Sequence, residues 1–140
     1  MRQKIISVAI MLCVTALFTI GSLPSASASP PAPVTITAVY DFSTFPDVAG
    51  TFTATGALTI SGSSTMHVDL NPNGTTAHCV VTLTAANGTI IIDQQCQFAT
   101  RPPAGRWEIV SGTGAYANLN GNGSLTMPPN TEAMTGVIFQ

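Results

Sequence analysis

Charge is scarce in this chain: Asp, Glu, Lys and Arg together make up 7% of its 140 residues, and the one lysine is Lys4. Beyond residue 28 the basic side chains are Arg101 and Arg106, set against Asp41, Asp47, Asp69, Asp93, Glu108 and Glu132, a net charge of −4. A surface that can neutralise two phosphates releases few counterions, which excludes nucleic acid as a partner, and it has no polybasic patch for anionic lipid. Histidine is limited to His67 and His78, and cysteine to Cys13, Cys79 and Cys96. No stretch repeats its apolar residues at helical spacing, so an α-helical domain is excluded as well.

The longest apolar run is at the start. Arg2 and Lys4 precede an apolar stretch from Ile5 to Gly21, and Ala26-Ser27-Ala28 supplies the small residues of a cleavage site. That is the pattern of an export signal, and Leu23-Pro24 directly after the run is the wrong flank for a membrane span. Residues 1–28 are therefore expected to be a signal peptide that removes Cys13, leaving a secreted, extracellular chain of 112 residues with no membrane anchor. That length suits a single domain with a modest core. The sequence sets no oligomeric state.

After an extended Pro-rich leader at 29–33, residues 34–140 alternate β-branched segments with Gly, Asn, Pro and Ser breakers. The segments are Val34–Phe42, Thr51–Ile60, Thr65–Leu70, Thr76–Ala86, Thr89–Phe98, Arg106–Ser111, Tyr116–Thr126 and Met134–Phe139. About eight short strands predict an all-β domain, a small antiparallel barrel or a sandwich. The last segment ends in Val137-Ile138-Phe139, a poor exposed edge unless it closes the sheet, and closure favours the barrel.

Two turns set the expected register. Asn87-Gly88 between Val80–Thr84 and Thr89–Asp93 is the composition of a two-residue hairpin loop, which would face Cys79 with Cys96 at a non-hydrogen-bonded site. Two remaining cysteines in an oxidising compartment are expected to form a disulfide there, worth roughly 3 kcal/mol by loop closure. At Asn71-Pro72-Asn73-Gly74 the turn chemistry admits pairing of Asn71 or of Leu70 with Thr75. The second puts Met66, Val68 and Leu70 on one apolar face with Ala77, Cys79, Val81 and Leu83, and sets His67 opposite His78.

No motif fixes a chemistry. Gly112-Thr-Gly-Ala-Tyr-Ala117 matches a dinucleotide-binding pattern with Glu132 about twenty residues on, but Asn118–Gly123 and Pro128-Pro129 break the helix that the fingerprint requires. Glycines at a bend between strands are the expected reading, and no cofactor is expected. An opposed His67–His78 pair with Asp69 diagonal to it has the spacing of a zinc or copper site, yet two imidazoles among threonines are commonly just solvated, and no metal is expected. Asn73, Asn87 and Asn122 each begin a glycosylation sequon, and each Asn-Gly reads as a turn. No serine or cysteine sits in a nucleophile arrangement.

Gly105-Arg-Trp-Glu-Ile-Val-Ser-Gly-Thr-Gly-Ala-Tyr-Ala-Asn-Leu-Asn-Gly-Asn-Gly-Ser-Leu125 resembles the signature hairpin of the allene oxide cyclase barrel-like family, relatives of the dirigent proteins. Gly50-Thr-Phe-Thr-Ala-Thr-Gly56 is similar to a segment of that family's bacterial secreted members. The resemblance implies an eight-stranded, calycin-like barrel with an apolar interior, which in the plant proteins steers cyclisation or coupling of a reactive small molecule. The matching residues are structural, so no catalytic assignment carries over.

The leading expectation is a noncovalent binder of one small apolar molecule, with Tyr40, Trp107 and Tyr116 as candidate lining residues. A second expectation is a cyclase- or isomerase-type enzyme using Glu108 or Asp41, although alternation sends Glu108 to the face opposite Trp107. A third is a surface or matrix protein adding its Thr-rich strands, with Thr82 and Thr84 or Thr51, Thr53 and Thr55, to a partner's sheet through an open edge.

Overall fold

The computed structural model describes residues 28–140; the expected signal peptide, Ala28 apart, and Cys13 lie outside the described residues. The strands are β1 (Ala32–Asp41), β2 (Asp47–Gly56), β3 (Ile60–Leu70), β4 (Thr76–Ala85), β5 (Gly88–Gln97), β6 (Ala104–Gly112), β7 (Asn120–Thr126) and β8 (Thr131–Phe139). Each pairs antiparallel with its sequence neighbours, and β8 returns to β1, so the sheet is a closed eight-stranded barrel. The apolar C-terminal strand is therefore covered, with Ile138 opposite Ala32. Closure also removes the open edge on which sheet addition to a partner would depend.

Alternation along the strands decides what is inside. In β1 Val34, Ile36, Ala38 and Tyr40 are buried while Thr35, Thr37 and Val39 face out. The same parity sends Val81 and Leu83 of β4 and Ile90 and Ile92 of β5 into one core. The leader is not free of the sheet. Ala32 and Pro33 already pair with β8, and the Ser29 amide donates to the Gln140 carbonyl at 2.8 Å.

Both expected registers are corrected, and each is displaced by an even number of residues, which preserves the inner face. In the β4–β5 hairpin Ala85 pairs with Gly88, so Cys79 lies opposite Gln94 and Cys96 opposite Ala77. The loop is Ala86-Asn87, with Asn87 outside the left-handed region that a type I′ turn requires. Tertiary packing overrides the local preference here: the Asn87 carbonyl accepts from the Ala115 amide at 2.9 Å, and a Cβ on Gly88 would lie 2.1 Å from the Thr113 carbonyl. In the β3–β4 hairpin Leu70 pairs with Ala77, not Thr75. Asn71 Oδ1 accepts from the amides of both Thr75 and Thr76 at 3.0 Å, which opens a wider loop. His67 is consequently opposite Val80, and His78 opposite Asp69.

The region matching the dinucleotide pattern is a bend, as expected, but its form differs. Gly114–Tyr116 is a 3-10 turn and β7 begins at Asn120 instead of Tyr116. Asn122-Gly123 is not a turn either: it lies within β7, where Gly123 is opposite Gly136 of β8. The indole of Trp107 occupies this side-chain-free stretch of inner wall. A Cβ on Gly136 would come within 2.8 Å of Trp107 Cζ2.

Candidate functional site

The two ends of the barrel differ. At the end that carries the β2–β3, β4–β5 and β6–β7 connections, Tyr116 and Leu119 are buried and close the interior. The 3-10 turn bearing Tyr116 is fixed to the β4–β5 hairpin by the Thr113 amide donating to the Thr89 carbonyl at 2.9 Å and by paired Thr89 and Thr113 hydroxyls. At the opposite end the β1–β2, β3–β4, β5–β6 and β7–β8 connections stand around an open cavity of about 410 Å³.

Each of these four connections contributes apolar groups to the mouth. Phe42 and Phe45 come from the first, Leu70 from the second, Phe98 and Pro103 from the third, and Met127, Pro128 and Pro129 from the fourth. Phe42, Phe45 and Leu70 are exposed, an unusual placement for large apolar side chains unless something apolar comes to the rim. Below them Met66 and Val68 form the inner wall. Prolines with fixed φ stiffen the rim. Asn130, at φ 58, adopts the left-handed conformation that Asn tolerates, and its carbonyl accepts from the Tyr40 amide at 3.1 Å, tying the fourth connection to β1.

Polar groups gather at the base. Tyr40 and Glu132 are on the cavity wall and both are buried. Gln94, reaching across the interior from β5, donates from Nε2 to Glu132 Oε1 at 2.5 Å. Glu132 Oε2, the Tyr40 hydroxyl, Ser64 Oγ and Gln94 Oε1 are sealed from solvent without a hydrogen bond of full geometry, the Tyr40 hydroxyl lying within reach of both Ser64 and Glu132. Among the described residues the buried polar side chains are Ser64, Gln94 and Glu132, so no buried cation balances the carboxylate. Desolvation pushes the Glu132 carboxyl up to about 7, against the hydrogen bonds donated by Gln94 and by the Tyr40 hydroxyl, which favour its charged form. Burial first, and then the Glu132 charge, push the Tyr40 phenol far above its ordinary value.

The structure separates the three aromatic residues proposed from the sequence. Tyr40 lines the cavity. Trp107 is buried deeper, opposite Gln94, with Nε1 donating to the Ser124 carbonyl at 3.0 Å and the Thr135 carbonyl at 3.3 Å. Tyr116 belongs to the closed end. Neither Trp107 nor Tyr116 is on the cavity wall.

The two carboxylates considered for catalysis are outside. Glu108 is exposed on β6, and Asp41 caps the 3-10 turn Phe42–Thr44 by accepting from the Ser43 amide at 2.9 Å, which holds its carboxyl below the ordinary value. Glu132 is the carboxylate the sequence reading overlooked. Its signal is parity: it falls on the same face as Met134 and Ile138, but the strand expected from Met134 begins three residues earlier, at Thr131.

Cys79 is on the cavity wall and Cys96 beside it, both as buried thiols with Sγ atoms 3.9 Å apart. The expected face-to-face bridge is thus replaced by a diagonal pair. Hydrogen bonding to Cys79, with burial, pushes the Cys96 thiol well above its ordinary value. The opposed two-histidine arrangement does not form: His67 pairs with Asp47 at 2.5 Å and His78 with Asp93 at 2.6 Å on the outer surface. Among the described residues no three His, Cys, Asp or Glu side chains are grouped to hold a metal.

No protein-family model matches the sequence, and no curated protein matches it. Among solved structures the chain is similar to the Diels Alderase AbmU from Streptomyces koyangensis, with 13% identity and a TM-score of 0.48. The similarity covers 81% of this chain and 66% of that one, and it is too distant to bear on chemistry.

Proposed function

We propose that the exported chain binds one small, largely apolar molecule noncovalently in the cavity at the open end of the barrel. The observation that carries this reading is the asymmetry of the two ends: one is plugged by Tyr116 and Leu119, whereas the other opens into about 410 Å³ rimmed by exposed Phe42, Phe45 and Leu70. That volume is within the usual range of small-molecule sites, and an apolar wall with few polar groups at its base is their usual composition. A binding barrel of the allene oxide cyclase and dirigent type, as the Gly105–Leu125 resemblance implies, would present such a cavity.

Equilibrium titration with a neutral apolar fluorophore, N-phenyl-1-naphthylamine, tests this reading. Saturable binding at one site is expected, and Val68→Phe, which fills the inner wall, should weaken it at least tenfold while leaving a cooperative melting transition. Absence of saturation, or full binding by Val68→Phe, would contradict the assignment.

A cyclase- or isomerase-type activity is the second reading, and the position of Glu132 favours it. A carboxyl poised near neutral pH on a cavity wall is suited to moving a proton. On this reading Glu132→Gln abolishes turnover of a cyclisable substrate, whereas Glu108→Gln and Asp41→Asn leave it intact; the reverse pattern would remove Glu132 from the chemistry.

A further inference from the structure

Resting on the binding reading, we propose that the open end of the barrel docks peripherally on a zwitterionic phospholipid bilayer, so that the cavity mouth meets the apolar phase in which its ligand is concentrated. Among the described residues six large apolar side chains are exposed, and three of them, Phe42, Phe45 and Leu70, stand on the rim of the cavity. Exposed Pro128 and Pro129 continue the ring through the β7–β8 connection. The mouth connections, residues 42–46, 71–75, 98–103 and 127–130, carry one charged side chain, Arg101. Among the described residues the connections of the closed end contribute none of the exposed large apolar groups, and Ser29 and Gln140 meet at that end, away from the mouth.

The placement of this ring around an entrance selects its occupant. Burial at the boundary between headgroups and acyl chains removes the ring from water without needing a matching surface. A protein seated on the ring would close the entrance, whereas a bilayer both covers the ring and holds the apolar ligand. Charge selects the lipid. Exposed Asp41 and Asp47 bracket the β1–β2 connection, Asp47 paired with His67, and exposed Asp69 precedes Leu70. Carboxylates flanking Phe42 and Phe45 suit the ammonium group of choline or ethanolamine, which aromatic faces also attract, and Arg101 suits the phosphate. The same carboxylates oppose an anionic surface. They also oppose a second copy of the chain, because a two-fold contact mouth to mouth would set each carboxylate group against its like.

The test is flotation of the whole exported chain with dioleoylphosphatidylcholine vesicles, without added ligand. Saturable flotation is expected, retained at high salt and weakened when dioleoylphosphatidylglycerol replaces part of the phosphatidylcholine. The double substitution Phe42→Ser with Phe45→Ser alters exposed side chains, so it should melt cooperatively while raising the lipid needed for half-flotation about tenfold or more. Val110→Ser removes a similarly exposed apolar group remote from the mouth and should leave flotation unchanged. Phe45→Trp should gain emission that dibrominated phosphatidylcholine quenches, whereas Trp107 in the parent, buried within the barrel, should not be quenched.

Absence of flotation with phosphatidylcholine, or full flotation of the double variant, would overturn the docking proposal. Stronger flotation with phosphatidylglycerol would overturn it in favour of electrostatic adsorption, and a dimer in light scattering that the double variant dissolves would overturn it in favour of a second copy. Titration of vesicle-free protein with N-phenyl-1-naphthylamine keeps the two readings apart. Saturable fluorophore binding without flotation would remove the docking surface and leave the cavity as a binding site; flotation without fluorophore binding would uphold the docking surface and remove the binding reading.

Discussion

Gln94 and Glu132 are joined across the barrel interior by an Nε2–Oε1 hydrogen bond of 2.5 Å, with no buried cation among the described residues. The pair couples the cavity wall to the core beneath it, because Gln94 also lies opposite Trp107 and its amide contacts Met134 Sδ at 3.4 Å. A carboxyl held this way has a measurable cost.

Folding raises the Glu132 carboxyl from 4.5 to about 7, so the folded chain holds the proton more tightly than the unfolded one. Its contribution to stability is complete below pH 4.5 and is lost as pH rises through 7, a change of about 3 kcal/mol. Denaturant melts of the parent and Glu132→Leu across this interval should therefore diverge, with the variant gaining relative stability as pH rises. Parallel pH dependences would show that the carboxyl is solvated in the folded protein.

Gly136 makes room for the only tryptophan. A Cβ there would meet the Asn122 carbonyl at 2.1 Å and Trp107 Cζ2 at 2.8 Å. Gly136→Ala should cost roughly 2 kcal/mol or more through strain and displaced packing, with an altered Trp107 emission. Gly74→Ala is the control: nothing lies within 4 Å of its added Cβ, and φ 69 alone should cost about 1 kcal/mol. Thermal melts that rank the two the other way would contradict the placement of the indole.

Cys79 and Cys96 should close into one intramolecular disulfide under oxidising conditions, since their Sγ atoms are already 3.9 Å apart. Intact mass should fall by two hydrogens, and no thiol should label after denaturation. Closure of a loop of this size should raise stability by about 3 kcal/mol over the reduced chain. Because Cys79 lies on the cavity wall, ligand affinity should differ between the two forms. Two thiols that still label after oxidation would show that the diagonal placement cannot be bridged.

Strands and their inner faces were legible because alternation is written residue by residue: Ile36, Val81 and Ile92 are buried where parity puts them. Register was not, because the Asn87-Gly88 turn is decided by Thr113–Ala115, residues remote in sequence that pack upon it. Tyr40 was found as a large aromatic on an inner face. Glu132 was not legible because the apolar pattern of the last strand begins only at Met134, and barrel closure is what extends the strand and places Glu132 opposite Ala38 inside.

The most direct test of the account is a carbon-13 methyl spectrum of methionine-labelled protein titrated with N-phenyl-1-naphthylamine. Met66 and Met127 line the cavity, whereas Met134 is buried outside its wall. Saturable shifts of the Met66 and Met127 methyls at one common dissociation constant, larger than any at Met134, are the expected result. Unchanged Met66 and Met127 methyls at saturating fluorophore would contradict a binding cavity at the open end of the barrel.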